Sequence, residues 1–314
     1  MRVVALAGGV GGAKLADGLA QVLSRDELTI IVNTGDDFEH WGLKISPDLD
    51  TVCYTLAGLA NPETGWGRID ESWAAFDAIS RLGGADWFRI GDKDVATHIE
   101  RTRRLQVGDK LSEITRDFCL AWGVDHPIFP MSDDPISTMV HTEIGVLPFQ
   151  EYFVHQRCEP KVKDFLFAGA ERSQPAEGVL DSIEGADLVV VCPSNPWVSI
   201  DPILALPTLR PALSKRAIIA ISPIIGGKAL KGPAAKMYTE LGIQPSAYAV
   251  AQHYGDLLTG IVIDHVDKEF VSSIQALGVT PFVSNTIMKS RSDRQRLAED
   301  VLQFGAELIS DKIG

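Results

Sequence analysis

No apolar run in this chain approaches the roughly 18 residues that suggest a membrane-spanning helix. The opening stretch MRVVALAGGV carries one basic residue and an apolar patch. Gly8 and Gly9 break that patch at once and Lys14 follows, so it reads as a buried first strand and not as a signal peptide. Positive charge is scarce: 29 Lys and Arg stand against 42 Asp and Glu, a formal net charge of −13. That balance argues against a nucleic-acid-binding surface, although a local pocket on an acidic protein still attracts a small anion. Cysteine is sparse as well. Cys53, Cys119, Cys158 and Cys192 lie far apart with no CxxC pair, which argues against a zinc site or a disulfide framework and fits thiols in a reducing cytoplasm. There is no internal repeat, low-complexity tract or long linker.

What is present is a globular composition, 45% hydrophobic over 314 residues, enough for one large domain or two modest ones. VVALA (3–7), LTIIVN (28–33), DLVVVCP (187–193) and RAIIAIS (216–222) are continuous apolar runs, the pattern of strands buried on both faces of a parallel sheet. Helical patterns cover 14–23, 48–59, 71–82, 92–104, 110–122, 230–241 and 293–309. The opening order of strand, Gly-rich loop, helix and strand is a βαβ unit. The expected fold is α/β: a Rossmann-like, doubly wound, mostly parallel sheet built from residues 1–60 and 126–314. A largely helical block at 61–125 and a strand-bearing stretch at 126–170 interrupt the α/β pattern.

In open α/β sheets ligands bind outside the carboxyl ends of the strands, so the residues after each strand carry the information. After the first come Gly8, Gly9, Gly11, Gly12, Ala13 and Lys14. This is neither a P-loop nor a dinucleotide fingerprint. It reads as a tight turn or as an anion cradle at a helix mouth. After the second come Asn33-Thr34-Gly35-Asp36-Asp37, then Ser46-Pro47-Asp48-Leu49-Asp50-Thr51. These acidic residues are either turn and cap residues or carboxylates converging on Mg²⁺ beside a phosphate. Asp92 suits an N-cap, and His98 and Arg101 share one helix face. Asp133 and Asp134 form a third acidic turn, and Ser194 and Asn195 stand between Pro193 and Pro196. Gly226, Gly227, Lys228 and Lys231 repeat the physics of the first loop at what reads as a second helix mouth. Two such mouths on an acidic protein point to a ligand with more than one phosphate, most simply a diphosphate. Residue chemistry alone therefore reaches a magnesium-dependent enzyme or binder of a nucleotide diphosphate.

Taken in order, GGVGGAKL, NTGDD, SPDLDTVCYTLAG, NPETGWG, WFRIGDKDVATHI, PMSDDP, CPSNPWVSIDPIL, ISPIIGGKALKGPA and NTIM resemble the 2-phospholactate transferase family of coenzyme F-420 biosynthesis, CofD in archaea and FbiA in actinobacteria. The resemblance implies transfer of a phospho-three-carbon acid from its guanosine-diphosphate-activated form to the ribityl hydroxyl of the deazaflavin Fo. The acid is 2-phospholactate, phosphoenolpyruvate or 3-phosphoglycerate. GMP leaves, and F-420-0 or its dehydro form results. It also implies a cytoplasmic homodimer, with the donor-making guanylyltransferase as a candidate further partner and neither nucleic acid nor membrane. By the same resemblance Asp36 and Asp50 hold Mg²⁺ and serve catalysis, while Asp50, Thr51 and Arg89 contact Fo. Gly9, Gly11, Gly12, Ala13 and Lys14 cradle donor phosphate, and Ser194 and Asn195 contact guanosine. Gly227, Lys228 and Lys231 neutralise the pyrophosphate or the carboxylate; Asp37 and Asp134 rank second. Some relatives carry Lys where Arg89 stands, and the two are not equivalent donors. A related bacterial group, YvcK, shares the Gly-rich start but is regulatory and linked to UDP-sugars. The block from NPETGWG to WFRIGDKDVATHI resembles the Fo side of the transferases and separates the two readings.

Overall fold

The computed structural model describes the backbone of residues 1–313 and the side chains of residues 1–310. Its centre is one sheet of seven strands: β1 (Val3–Ala7), β2 (Leu28–Val32), β3 (Ile128–Pro130), β4 (Leu188–Val191), β5 (Ala217–Ile221), β6 (Gly260–Asp264) and β7 (Thr280–Ser284). The order across the sheet is β7-β6-β5-β4-β1-β2-β3, and every neighbouring pair is parallel. All residues of β1, β4, β5 and β6 are buried, as expected for strands covered on both faces. Successive residues alternate between two apolar layers. Val4, Leu6, Val189 and Val191 face one; Val3, Ala5, Leu188 and Val190 face the other. The second layer is closed by α1 (Gly9–Val22) and by the last helix, Arg291–Ile313, through Leu15, Leu19, Leu297 and Val301. Each such buried side chain contributes about 1.5–3 kcal/mol.

The chain leaves β1 towards β2 on one side and returns to β4 on the other. The strand order therefore reverses between β1 and β4, which opens a crevice at their carboxyl ends. Between β2 and β3 lie a short hairpin (Phe38–His40 with Leu43–Ile45) and four helices: α2 (Pro47–Leu56), α3 (Ala74–Arg81), α4 (Asp92–Gln106) and α5 (Leu111–Ala121). From residue 55 to residue 89 no residue is buried. A separate three-stranded antiparallel sheet joins Ser137–Thr142 to Gly145–Pro148 and Val162–Ala168. Among the described residues no helix is long and apolar enough to cross a membrane.

Two expectations are corrected. The first helix begins at Gly9, not Lys14, so the glycines lie inside its first turns. The pair Gly226-Gly227 opens no helix. With φ of 55° and 74° it turns a hairpin between Ile224–Ile225 and Lys228–Ala229, and the next helix begins only at Ala234. Two positive-φ residues between antiparallel strands are what a two-residue hairpin turn requires.

Candidate functional site

The first turns of α1 sit against the loop that follows β4. A Cβ on Gly11 would lie 2.2 Å from the Pro193 carbonyl oxygen, one on Gly12 2.5 Å from Ser194 Oγ, and one on Gly8 2.5 Å from Asp48 Oδ2. These glycines are therefore needed for chain-to-chain approach, whatever else they do. Ser194 locks the junction: its hydroxyl donates to the Gly8 carbonyl at 2.8 Å and accepts from the Gly8 amide at 3.1 Å. The first turn of α1 carries no acidic residue, so its amides and dipole favour an anion. Lys14 reaches the same region and donates to the Met288 carbonyl at 2.9 Å. Burial, Arg294 and Lys231 hold its pKa below the ordinary lysine value.

An acidic group faces this cationic end. Asp36 is 4% exposed, and its Oδ1 has no hydrogen-bond partner among the described residues. Burial and then the neighbouring Asp48 raise its pKa well above the carboxylate range. Burial also raises Asp37, which accepts from Ser46 Oγ at 2.7 Å. Burial brings Asp48 to about 6, while hydrogen bonds from Asn33, the Gly9 backbone and Ser199 keep it from rising further. The Asn33 contact is 2.9 Å.

Asp50, on α2, behaves differently. Both its oxygens accept from Arg101 on α4: Oδ2 from Nη1 at 3.0 Å, and Oδ1 from Nη2. Arg101 is 2% exposed; burial works against its charge, but Asp50 overcomes that and raises its pKa. His98, one turn earlier, is lowered to about 4 by burial, with Asp50 opposing and Arg101 adding to the effect. Asp94 is raised to about 7 by burial and by Asp50, and lies 2.7 Å from the Tyr54 hydroxyl, which donates to it.

Asp36 fits a divalent cation, because a buried carboxylate oxygen without a donor is what such an ion would satisfy. Asp50 fits less well, since Arg101 already engages both oxygens. Asp50, Asp94 and His98 place one ligand atom each within 4.8 Å of one another. The Arg101 guanidinium beside them supplies the positive charge that a metal would bring.

One cavity of about 860 Å³ joins these groups. Its lining includes Gly8, Gly9, Gly11, Lys14 and the loop after β4, together with the rings of Trp66, Trp73, Trp87, Phe88, Phe149 and Phe153. Arg89 lies over the Trp73 ring, 3.8 Å from its centroid, and Phe149 stacks on Phe153 at 5.3 Å. Of the residues singled out in the sequence, Gly9, Gly11, Lys14, Asp36 and Asp50 line the cavity, as do Thr51, Arg89, Ser194, Asn195 and Lys231. Gly12 and Ala13 are buried behind it. Gly227 and Lys228 belong to the hairpin and do not line it, nor do Asp37 and Asp134. Lys231 Nζ donates to the Thr64 carbonyl at 2.8 Å. Sequence reasoning missed Asp94 and the Phe149–Phe153 pair. It gave Arg101 only a helix face and Asp48 only a cap or general acidic role. The i, i+4 spacing of the two phenylalanines was the one local signal for that pair.

The family model described as "2-phospho-L-lactate transferase CofD" matches residues 3–302. A protein named phosphoenolpyruvate transferase from Streptomyces griseus is 40% identical, covering 98% of this chain and 99% of its own length. One named 2-phospho-L-lactate transferase from Methanocaldococcus jannaschii is 36% identical over the same shares. A crystal structure of a Bacillus halodurans protein, described as a member of the UPF0052 family, has the same fold. Its TM-score is 0.65 at 15% identity, covering 96% of this chain and 98% of that one. The match over nearly the whole chain shows that this protein belongs to the 2-phospho-L-lactate transferase CofD family.

Proposed function

We propose that the chain transfers a phospho-three-carbon acid from its guanosine-diphosphate-activated form to the deazaflavin Fo, giving F-420-0 or its dehydro form and releasing GMP. The observation that carries this reading is that one cavity is lined both by the anion-attracting mouth of α1 and by a set of aromatic rings. Such a lining suits both a phosphate-rich donor and a flat aromatic acceptor.

Phosphoryl-type transfer asks a protein for positioning and charge neutralisation more than for covalent chemistry. In this reading the α1 amides near Gly9 and Gly11, with Lys14 and Lys231, hold the donor phosphates. Ser194 and Asn195 border the guanosine. Thr51, Arg89 and the aromatic wall hold Fo, and Asp50 points its hydroxyl. Mg²⁺ would be held by Asp36 together with donor phosphate oxygens. When bound, it would neutralise charge on the bridging pyrophosphate. The aromatic side chains of the 61–91 segment keep water from the acceptor. The same reading takes the protein as a cytoplasmic homodimer that receives donor from a guanylyltransferase, and leaves the three acids as alternatives.

The test is titration with Fo, followed by deazaflavin fluorescence, with and without GDP and Mg²⁺. Saturable Fo binding that GDP and Mg²⁺ alter is expected. Absence of Fo binding, together with binding of a UDP-sugar, would overturn the transferase in favour of the regulatory reading.

A further inference from the structure

Arg101 heads the large side chains that are fully buried, and it does not line the cavity. Among the described residues its hydrogen bonds run through the two terminal nitrogens of its fork. Nη1 and Nη2 donate to the two oxygens of Asp50, and Nη1 also lies 3.4 Å from the Lys44 carbonyl. The same Nη1 stands 3.2 Å from His98 Nδ1. A guanidinium only donates, so His98 Nδ1 accepts and a neutral imidazole carries its proton on Nε2. That Nε2 has no hydrogen-bond partner among the described residues, and the nearby Asp94 Oδ1 is 3.6 Å away. Asp50 and His98 both line the cavity.

One buried guanidinium thus fixes two neighbours with opposite hydrogen-bonding character. Each carboxylate oxygen keeps a second lone pair after accepting from Arg101, and the imidazole keeps one unused N–H. A hydroxyl group donates once and accepts, so it matches this pair. We propose that Arg101 is a positioning residue that holds an acceptor (Asp50, whose Oδ2 is 3.7 Å from His98 Nδ1) and leaves a donor (Nε2–H) on the other nitrogen of the same ring, and that the pair seats one hydroxyl of the acceptor's polyol chain. This rests on the transferase reading above. A merely structural ion pair would tie α2 to α4 and set the same His98 tautomer equally well, but it would not act on one substrate alone.

The experiment uses the full-length protein in two measurements. Long-range ¹H–¹⁵N spectra of histidine-labelled protein at neutral pH, with His98 assigned by its loss in His98→Gln, should show the Nε2–H tautomer. In Arg101→Lys, which keeps the charge but loses the fork, Fo affinity should fall about tenfold or more while GDP affinity changes less than about twofold. His98→Ala should show the same split. His98→Gln, with an amide that still donates, should recover part of the Fo affinity. An Nδ1–H His98 would overturn the proposal. So would equal losses for Fo and GDP in Arg101→Lys while the wild-type protein binds Fo normally. Failure of the wild-type protein to bind Fo would overturn the transferase reading itself, and with it the seated hydroxyl.

Discussion

Gly11 and Pro193 meet so closely that any side chain on Gly11 would drive into the Pro193 carbonyl. The contact joins the mouth of α1 to the loop after β4, where the sheet order reverses. Gly11→Ala should cost about 1–3 kcal/mol of stability. GDP binding should be lost before Fo binding, because the displaced turn is part of the proposed phosphate site. Chemical denaturation and parallel GDP and Fo titrations check this; a variant with native stability and native GDP affinity would contradict it.

Asp36 combines a buried carboxylate, a nearby Asp48 and an oxygen without a donor. Its ionised form is penalised by burial, so Asp36→Asn should leave the melting temperature unchanged or raised. Turnover should nevertheless fall about 100-fold or more if a metal contact worth several kcal/mol disappears. Mn²⁺ binding read by electron paramagnetic resonance should weaken in the same variant. Loss of stability without loss of Mn²⁺ binding would mark Asp36 as structural.

Burial moves Asp94 and His98 in opposite directions on the pH axis. Asp94 rises from 3.8 to about 7, so its contribution to stability is fully present below pH 3.8 and is lost as pH rises through about 7. His98 falls from 6.5 to about 4, so its contribution is present above pH 6.5 and is lost as pH falls through about 4. Asp94→Asn removes only the first of these. Its melting temperature should come closest to the wild type below about pH 3.8, exceed it increasingly as pH rises, and lie above it near about pH 8 by an equivalent of at most about 4 kcal/mol. Thermal melts of both proteins across that range test it; an equal difference at both ends would show that Asp94 titrates normally.

Lys231 and Lys228 lie three residues apart and have different surroundings. Lys231 lines the cavity, whereas Lys228 sits exposed in the hairpin after Gly226-Gly227. Lys231→Ala should weaken GDP binding about tenfold. Lys228→Ala should change it less than about twofold. The reverse ranking in calorimetric titrations would restore the hairpin to the site.

The legible strands were those whose burial leaves a local trace. β1, β4 and β5 are unbroken apolar runs because both faces are covered, and β2 is interrupted only by the half-buried Thr29. β6, GIVID, is equally buried but opens on Gly260 and closes on Asp264, which shortens its apolar signature. β7 contains Pro281 and is largely half-buried at the sheet edge, so little in its composition distinguishes it from a loop. The same contrast holds in the site. Asp36, Lys14 and Ser194 follow strands, where the α/β rule directs attention. Arg101 and Asp94 lie on a helix whose charged pattern reads as a solvated face. Their burial depends on Asp50 and Tyr54, 51 and 40 residues away, and no local pattern carries that.

The stretch from residue 55 to residue 89 provides Trp66, Trp73, Trp87, Phe88 and Arg89 to the cavity wall without burying a single residue of its own. A wall so thinly anchored has a small local opening free energy, and its amides should exchange with solvent well before those of the sheet. In the proposed complex its rings would leave water further against the acceptor. Acceptor binding should therefore carry a negative heat-capacity change larger than the acceptor's own surface would produce, because part of the protein finishes folding at that moment.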